Sequence, residues 1–189
     1  MKLVAITGGI GSGKSVVSSL LRMMGERVYD TDAQAKRLMN TSDQLIRLIK
    51  ARFGDDVYCD GRIDNAKLGA IVFNNAEALA DLNALVHPAV KADLVEWAHS
   101  DDSIAFFETA LLYTGGLEDI TDVIWKVVAP TEVRVERVVK RNGFTPKQVL
   151  KRILAQECEL VDNNKDVVIL NDGIQALVPQ IVSNLSCLC

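Results

Sequence analysis

Short apolar runs alternate along this chain with longer stretches in which apolar residues recur every three or four positions. The short runs are typical of buried strands, and the three-to-four spacing is typical of helices. The strand-like runs lie at Val4 to Ile6, Arg27 to Tyr29, Ile104 to Phe107, Val123 to Val128 and Val167 to Leu170. Strands that alternate with helices form parallel sheets, so the pattern predicts an α/β fold of three layers with a parallel central sheet flanked by helices.

The stretch from 33 to 99 departs from this alternation, because its apolar residues keep helical spacing and no strand-like run interrupts them. We therefore predict a helical insertion over residues 33–99. The Asp60-Gly61 turn separates two of its helices, and Asp64 is placed to cap the helix that follows. Pro88 fits the first turn of the last helix of the insertion.

A turn at Asn142 to Pro146 separates two further helices, one from about Thr131 to Arg141 and one from about Lys147 to Leu160. A pair of helices joined in this way can close over a bound nucleotide. Residues 137–152 are therefore a candidate lid.

Three arginines of the first of these helices lie three and four positions apart and so share one face, namely Arg134, Arg137 and Arg141. Such a face could meet the phosphates of a nucleotide. Glu132 and Glu136 are equally well placed for ion pairs along a solvated helix. Spacing alone leaves both interpretations open.

The residues from Gly8 to Ser15 satisfy every fixed position of the P-loop pattern G-x-x-x-x-G-K-[ST]. Glycines let the backbone turn with its N–H groups pointing inward, which makes a cup for a polyphosphate. Lys14 would place a cation on the β- and γ-phosphates, and Ser15 would offer its hydroxyl to Mg²⁺. The loop stands between a predicted strand and a predicted helix that Gly25 ends, an order that a glycine-rich turn without function would not need.

Length and charge narrow the class of protein. A chain of 189 residues fits one domain, residues 1–189, and its net charge of −4 argues against a broad nucleic-acid footprint. The N-terminus lacks the apolar core of a signal peptide, and no apolar run approaches the roughly 20 residues of a membrane span. The four cysteines are scattered, as is usual for reduced thiols: Cys59, Cys158, Cys187 and Cys189. We therefore expect a soluble, cytoplasmic protein with neither nucleic-acid nor membrane partners.

The class of P-loop protein depends on other motifs. Asn164-Lys165-Asp166 is similar to the guanine signature N-K-x-D, but its aspartate comes one position early, which argues against a GTPase. The third predicted strand ends in Glu108, an acid at the mouth of the site. A small kinase with a lid and a substrate-binding insertion fits these features best.

A second acidic motif, Asp30-Thr31-Asp32, follows the second predicted strand at the edge where open α/β sheets bind their ligands. There Asp32 could accept the proton of a substrate hydroxyl beside the γ-phosphate. It could equally cap a helix that begins at Ala33, and position alone does not decide between the two.

Several segments, each weak alone, become specific in their order and spacing: Thr7 to Ser15, Asp30 to Ala33, Phe53-Gly54, Asp60-Gly61, Leu82 to Pro88, Phe107 to Thr109, Arg137 to Arg141 and Arg152 to Gln156. In these segments the chain resembles the dephospho-CoA kinase family, and the resemblance runs across nearly its whole length. The segment from Leu82 to Pro88 is the most diagnostic after the P-loop.

The resemblance implies transfer of the γ-phosphoryl group of ATP to the ribose 3′-hydroxyl of dephospho-CoA, which gives coenzyme A and ADP. It also implies roles for residues: Asp32 matches the general base, and Arg141 matches a lid arginine that would stabilise the phosphates in flight. His87 and Gln156 fall at positions associated with substrate binding. His87 could instead cap a helix ahead of Pro88, or lie buried with its polar atoms satisfied.

The predicted site therefore has catalytic residues Asp32, Lys14 and Arg141, the magnesium ligand Ser15, and substrate-binding residues Asp32, His87, Glu108 and Gln156. The predicted ATP-binding residues are Gly8, Gly9, Ile10, Gly11, Ser12, Gly13, Lys14, Ser15 and Val16. ATP and Mg²⁺ are the predicted cofactors, and dephospho-CoA is the predicted small-molecule partner. Two alternatives stay open: a kinase for another small hydroxyl or nucleoside monophosphate acceptor, and an ATP-dependent switch without acceptor chemistry.

Overall fold

A computed structural model of the chain describes residues 1–73, 75–99, 104–156 and 166–188. The strands are β1 Leu3–Thr7, β2 Arg27–Asp30, β3 Tyr58–Cys59, β4 Arg62–Ile63, β5 Ala105–Glu108, β6 Val123–Val128 and β7 Asp166–Leu170. The α-helices are α1 Lys14–Met23, α2 Thr31–Thr41, α3 Asp43–Phe53, α4 Asn65–Val72, α5 Ala76–Ala98, α6 Thr131–Asn142, α7 Pro146–Leu154 and α8 Leu177–Ser186. Four features named above lie outside the described residues: Cys158, Cys189, the Asn164-Lys165 pair and the predicted helix end at Leu160.

The central sheet contains the five strands that the apolar runs predict. They are parallel and stand in the order β2-β5-β1-β6-β7. All five residues of β1 are buried, as expected for the middle strand of a sheet covered on both faces. The prediction of a parallel α/β sheet is confirmed, and the loop that leaves the carboxyl end of β1 emerges at its centre.

An aromatic pair lies in the core of this sheet. The ring centroids of Phe106 on β5 and Trp125 on β6 are 5.2 Å apart, with the ring planes tilted by 60°, and both side chains are fully buried. Tilted pairs at this distance are favoured by the ring quadrupoles. Val4 and Ile6 of β1 and Leu21 of α1 belong to the same cluster, so α1 is fixed against the sheet directly behind the glycine-rich loop.

The chain divides into two compact units. The first comprises Met1–Asp30 and Ala98–Cys189 and contains the parallel sheet, and the second comprises Thr31–Trp97. The second unit contains α2, α3 and α4, most of α5, and a two-stranded antiparallel sheet made by β3 and β4.

The small sheet corrects the prediction that residues 33–99 contain no strand. Tyr58 pairs with Ile63 and Cys59 with Arg62 in antiparallel register. The two residues between the strands, Asp60 and Gly61, have φ values of 50° and 76°. Two positive φ angles in a two-residue loop are the geometry of a tight hairpin turn. Asp60-Gly61 thus lies between α3 and α4, as predicted, and closes a hairpin there.

The predicted helix start at Pro88 is also wrong. Pro88 lies inside α5, a 23-residue helix that begins at Ala76. A proline in a helix removes one backbone donor, here the bond that would reach the carbonyl of Ala84. Ala84 and Pro88 are both exposed, so water can reach that carbonyl. Since His87 lies in the same helix, it is not an N-cap.

The helix cap that the sequence predicts at Asp64 is present, and so is the turn between α6 and α7. The Asp64 carboxylate accepts hydrogen bonds from the backbone N–H groups of Ala66 and Lys67 at 3.0 and 3.1 Å and so caps α4. A cap of this kind is worth about 1 kcal/mol. Between α6 and α7, Gly143 has a φ of 68° and Thr145 forms a reciprocal capping box with Gln148. The turn at Asn142 to Pro146 is therefore confirmed, although α7 ends at Leu154.

Candidate active site

The glycine-rich loop connects β1 to α1. Gly11 has a φ of 78°, and Gly13, the N-cap of α1, has a φ of 97°, both in the left-handed region that favours glycine. The backbone N–H of Ser12 donates to the carbonyl of Gly9 at 3.1 Å and closes a turn within the loop. Gly13 has no side chain with which to cap the helix, and the positive end of α1 faces the loop, a position that favours an anion.

The charged side chain of the loop lies across it. Lys14 Nζ donates to the carbonyl oxygen of Gly8 at 2.7 Å, and the side chain is half-buried. The ammonium group is thereby held against the backbone of the loop. A phosphate bound there would meet a concentrated positive charge.

An acid from the neighbouring strand meets the hydroxyl of the loop. Ser15 Oγ donates to Glu108 Oε1 at 2.6 Å. Glu108 is the last residue of β5, and in the sheet register it is the partner of Ile6 on one side and Asp30 on the other. Hydroxyl and carboxylate oxygens are ligands that Mg²⁺ prefers, so the pair Ser15 and Glu108 fits that ion.

Two arginines of α6 hold the loop from outside. Arg134 Nε donates to the carbonyl of Ile10 at 2.9 Å, and Arg137 Nη1 lies 3.4 Å from the carbonyls of both Gly11 and Ser12. Arg134 is only 8% exposed, and this burial lowers the pKa of its guanidinium. A guanidinium remains protonated at neutral pH even so. For these two arginines the alternative of a solvated helix face is wrong.

The residue after β7 supports the same loop. Asn171 is buried, its Nδ2 donates to the carbonyl of Ser12 at 2.8 Å, and its Oδ1 accepts from Arg137 Nη2 at 3.2 Å. In Asp172, hydrogen bonds from the backbone N–H groups of Gln175 and Ile174 lower the pKa of the carboxyl, with Arg137 adding a smaller effect. Asn171 was not among the predicted site residues, although it lies at the carboxyl end of a strand, the same signal that identified Glu108.

Of the other predicted residues in this unit, Gln156 lies at the loop and Arg141 does not contact it. Gln156 Oε1 accepts a hydrogen bond from the backbone N–H of Ile10 at 2.7 Å. Arg141 is exposed, and its Nε donates to Asn142 Oδ1 at 2.8 Å. The arginine that the sequence favoured is thus the one of the three that bonds to its chain neighbour, whereas Arg134 and Arg137 bond to the loop.

Asp32 and His87 belong to the second compact unit. Helix α2 begins at Thr31, so Asp32 lies in its first turn and is not the N-cap of a helix that begins at Ala33. Its side chain is exposed, and an acid in a first turn interacts favourably with the helix dipole. His87 is half-buried within α5.

A P-loop between the central strand and the first helix, with an acid from the neighbouring strand bonded to the loop serine, places the chain among the P-loop nucleotide-binding proteins. The model of the dephospho-CoA kinase family matches residues 2–176. The chain therefore belongs to the dephospho-CoA kinase family.

Individual relatives agree with this assignment. The dephospho-CoA kinase of Porphyromonas gingivalis is 36% identical over 185 residues, which cover 96% of this chain and 92% of the relative. A crystal structure of a Thermus thermophilus protein, 33% identical, has a TM-score of 0.76 and covers 99% of this chain and 95% of that one. The dephospho-CoA kinase structure from Campylobacter jejuni, at 22% identity, shares the fold with a TM-score of 0.71 over 100% of this chain and 98% of its own.

A helix can cross a bilayer only if it is long and apolar enough. Within residues 1–73, 75–99, 104–156 and 166–188, no helix combines the length and the apolar character that crossing a bilayer requires.

Proposed function

We propose that this chain transfers the γ-phosphoryl group of ATP to the ribose 3′-hydroxyl of dephospho-CoA. The oxygen of that hydroxyl forms a bond to the γ-phosphorus, the bond from the γ-phosphorus to the β–γ bridging oxygen breaks, and ADP leaves. The observation that carries the proposal is the family match over residues 2–176, because the geometry of the loop defines only the phosphate donor.

The loop residues would do most of their work by positioning and by electrostatic stabilisation. Backbone N–H groups of the loop would hold the polyphosphate, and the Lys14 side chain would leave the carbonyl of Gly8 to neutralise charge on the transferred group. Asp32 would accept the proton of the ribose hydroxyl, in line with the family resemblance. Arg141, exposed on α6, would reach the phosphates only when residues 137–152 act as a lid.

The insertion over 33–99 would bind the acceptor, with His87 as a candidate ligand for it. Gln156 was predicted to bind substrate, and its hydrogen bond to Ile10 favours a role on the nucleotide side of the reaction instead. In this proposal the acceptor-binding insertion comprises residues 33–99 and the lid residues 137–152.

Magnesium would be held by the oxygens of Ser15 and Glu108. Within the described residues no group of three or more His, Cys, Asp and Glu side chains could hold a metal, which fits an ion that is carried largely by phosphates and water. Bound there, Mg²⁺ would neutralise charge on the phosphates as the transfer proceeds. On this proposal Glu108 is a ligand of the metal or of its waters, and it does not touch the acceptor.

An acceptor panel tests the proposed reaction. With dephospho-CoA, AMP, CMP, shikimate and gluconate offered in turn, we expect dephospho-CoA to stimulate ADP formation by at least about 10²-fold over the rate without acceptor, because proton abstraction and alignment both need the right hydroxyl. Coupled detection of ADP and chromatography of coenzyme A measure the result. Equal turnover with a nucleoside monophosphate would contradict the choice of acceptor, and ADP formation that ignores every acceptor would favour a switch.

A second test concerns the metal. Glu108→Gln removes the charge that faces Ser15, so we expect the Mg²⁺ concentration for half-maximal activity to rise about tenfold, with most of the rate recovered at saturating Mg²⁺. Calorimetry should show weaker binding of Mg·ADP and unchanged binding of ADP without metal. Asp119→Asn, at an exposed acid of the same compact unit, serves as the control. An unchanged Mg²⁺ requirement in Glu108→Gln would contradict the proposed metal site.

A further inference from the structure

Ile10 is held on three sides by the pair of helices α6 and α7. Its carbonyl accepts from Arg134 Nε at 2.9 Å, and its N–H donates to Gln156 Oε1 at 2.7 Å. Its side chain packs against the small apolar cluster that joins the two helices, made by Val138, Val149 and Ile153. Side chains from outside the loop thus satisfy both backbone polar groups of Ile10.

Arg134 makes this contact at a cost. The side chain is 8% exposed, and its Nη2 atom is buried with no hydrogen-bond partner among the described residues. Burying a cation without full compensation is unfavourable, so packing alone does not account for arginine at this position. The hydrogen bond from Arg134 Nε to the carbonyl of Ile10 explains why a charged side chain is buried here.

Gly9 of the loop lies directly against the guanidinium of Arg134. A Cβ atom on Gly9 would collide with the guanidinium of Arg134. Gly9 does not have the positive φ of Gly8, Gly11 and Gly13, so its backbone conformation does not demand glycine. A methyl group at position 9 would instead have to displace the guanidinium of Arg134.

Gln156 completes the arrangement from α7. It lies two residues beyond Leu154, the last residue of that helix, and its backbone N–H donates to the carbonyl of Ile153 at 3.1 Å. The amide side chain is thus fixed to the end of α7, as Arg134 is fixed to α6. A change in the position of either helix would be felt at the Ile10 peptide.

We propose that Arg134 and Gln156 are positioning residues that clamp the Ile10 peptide and hold the P-loop in the shape that receives phosphates. The clamp acts through the loop backbone, and neither side chain needs to touch the nucleotide. The inference rests on the phosphate-binding role proposed above, and it links α6 and α7 to the affinity for nucleotide independently of which acceptor is used.

Removal of the Gln156 acceptor tests the clamp directly. Gln156→Met keeps the size of the side chain and loses the oxygen, so the Ile10 amide should exchange with deuterium at least about tenfold faster in the nucleotide-free protein. The Kd for ADP should rise about fivefold, the effect of one neutral hydrogen bond, while the circular dichroism spectrum and Tm stay close to wild type. Amide-resolved exchange and calorimetry measure the two effects.

Two further variants separate positioning from other roles. Gln156→Glu keeps an acceptor for the Ile10 N–H, so exchange at Ile10 should return to the wild-type rate even if the added charge weakens ADP binding. Gln175→Met makes the same chemical change at an exposed glutamine and should leave both readouts unchanged. Wild-type exchange at Ile10, or wild-type ADP affinity, in Gln156→Met would overturn the clamp.

A double-mutant cycle tests the Arg134 half. Gly9→Ala and Arg134→Ala should each weaken ADP binding by about tenfold, and the combined variant should be no weaker than the weaker of the two, because removing the guanidinium makes room for the new methyl group. Losses that simply multiply would overturn the contact between Gly9 and Arg134. ADP binding by the wild type without phosphorylation of dephospho-CoA would contradict the proposed reaction alone and leave the clamp standing.

Discussion

Lys14→Met is expected to lower kcat/KM by about 10²–10³-fold while the protein stays folded. The substitution keeps an unbranched side chain of similar length in the first turn of α1 and removes the cation that lies over the loop. Loss of one preorganised electrostatic contact to a transferring phosphoryl group typically costs about this much. Both kcat and the affinity for ATP should fall, since the ammonium would meet phosphates in the ground state and in the transition state. Steady-state kinetics and a thermal melt check the prediction.

Arg22→Met is the matched control. It removes one positive charge from the last turn of the same helix, where Arg22 Nη2 donates to the carbonyl of Val28 at 3.2 Å. If the loss of any positive charge from α1 impaired the enzyme, both variants would be impaired. If Lys14 binds phosphate, only Lys14→Met should be impaired. Wild-type kinetics in a folded Lys14→Met protein would mean that this loop does not bind the transferred phosphate.

For Asp32→Asn we expect a fall in kcat of about 10²-fold, with little change in the KM for ATP. The amide cannot accept the proton of the ribose hydroxyl, and loss of a general base costs about 10²–10⁴ in rate. The lower end applies because phosphoryl transfer passes through a loose transition state in which proton removal comes late. Steady-state kinetics with ATP as the varied substrate, at saturating dephospho-CoA, give the kcat and the KM for ATP separately.

Asp32→Asn needs a control variant that loses a similar amount of stability, because Asp32 lies in the first turn of α2 and interacts with the helix dipole. Its neutralisation should lower the free energy of unfolding by about 0.3–1 kcal/mol. Glu132→Gln removes the same kind of charge from the first turn of α6 and should cost a similar amount of stability without loss of kcat. Equal activity in the two variants would mean that Asp32 is not the general base and acts only through the helix dipole.

The five strands of the large sheet and the P-loop could be predicted from sequence because their signals are local. A buried parallel strand is a short apolar run, and the loop is a contiguous motif between two such elements. The hairpin from Tyr58 to Ile63 was not predicted, because its two-residue strands are too short to show an alternating pattern. The helix start predicted at Pro88 was wrong because an exposed position inside a helix tolerates a proline that a buried position would not.

The contacts around the loop could not be predicted, for a different reason. Arg134, Asn171 and Gln156 reach the loop across 124, 159 and 146 positions of the chain. No local spacing encodes such a pairing. Three arginines on one helix face look equivalent in the sequence, and only the packing of α6 on the loop shows that two of them bond to it and that Arg141 does not.

The Phe106–Trp125 pair gives the chain an internal optical probe. The protein has two tryptophans: Trp125 lies fully buried in the unit that carries the P-loop, and Trp97 ends the other compact unit. An indole shielded from water emits at short wavelength, and exposure shifts its emission to the red. With Trp97→Phe or Trp125→Phe, each remaining fluorophore reports on one unit, so denaturant titrations of the two proteins can show whether the halves melt in one transition or in two.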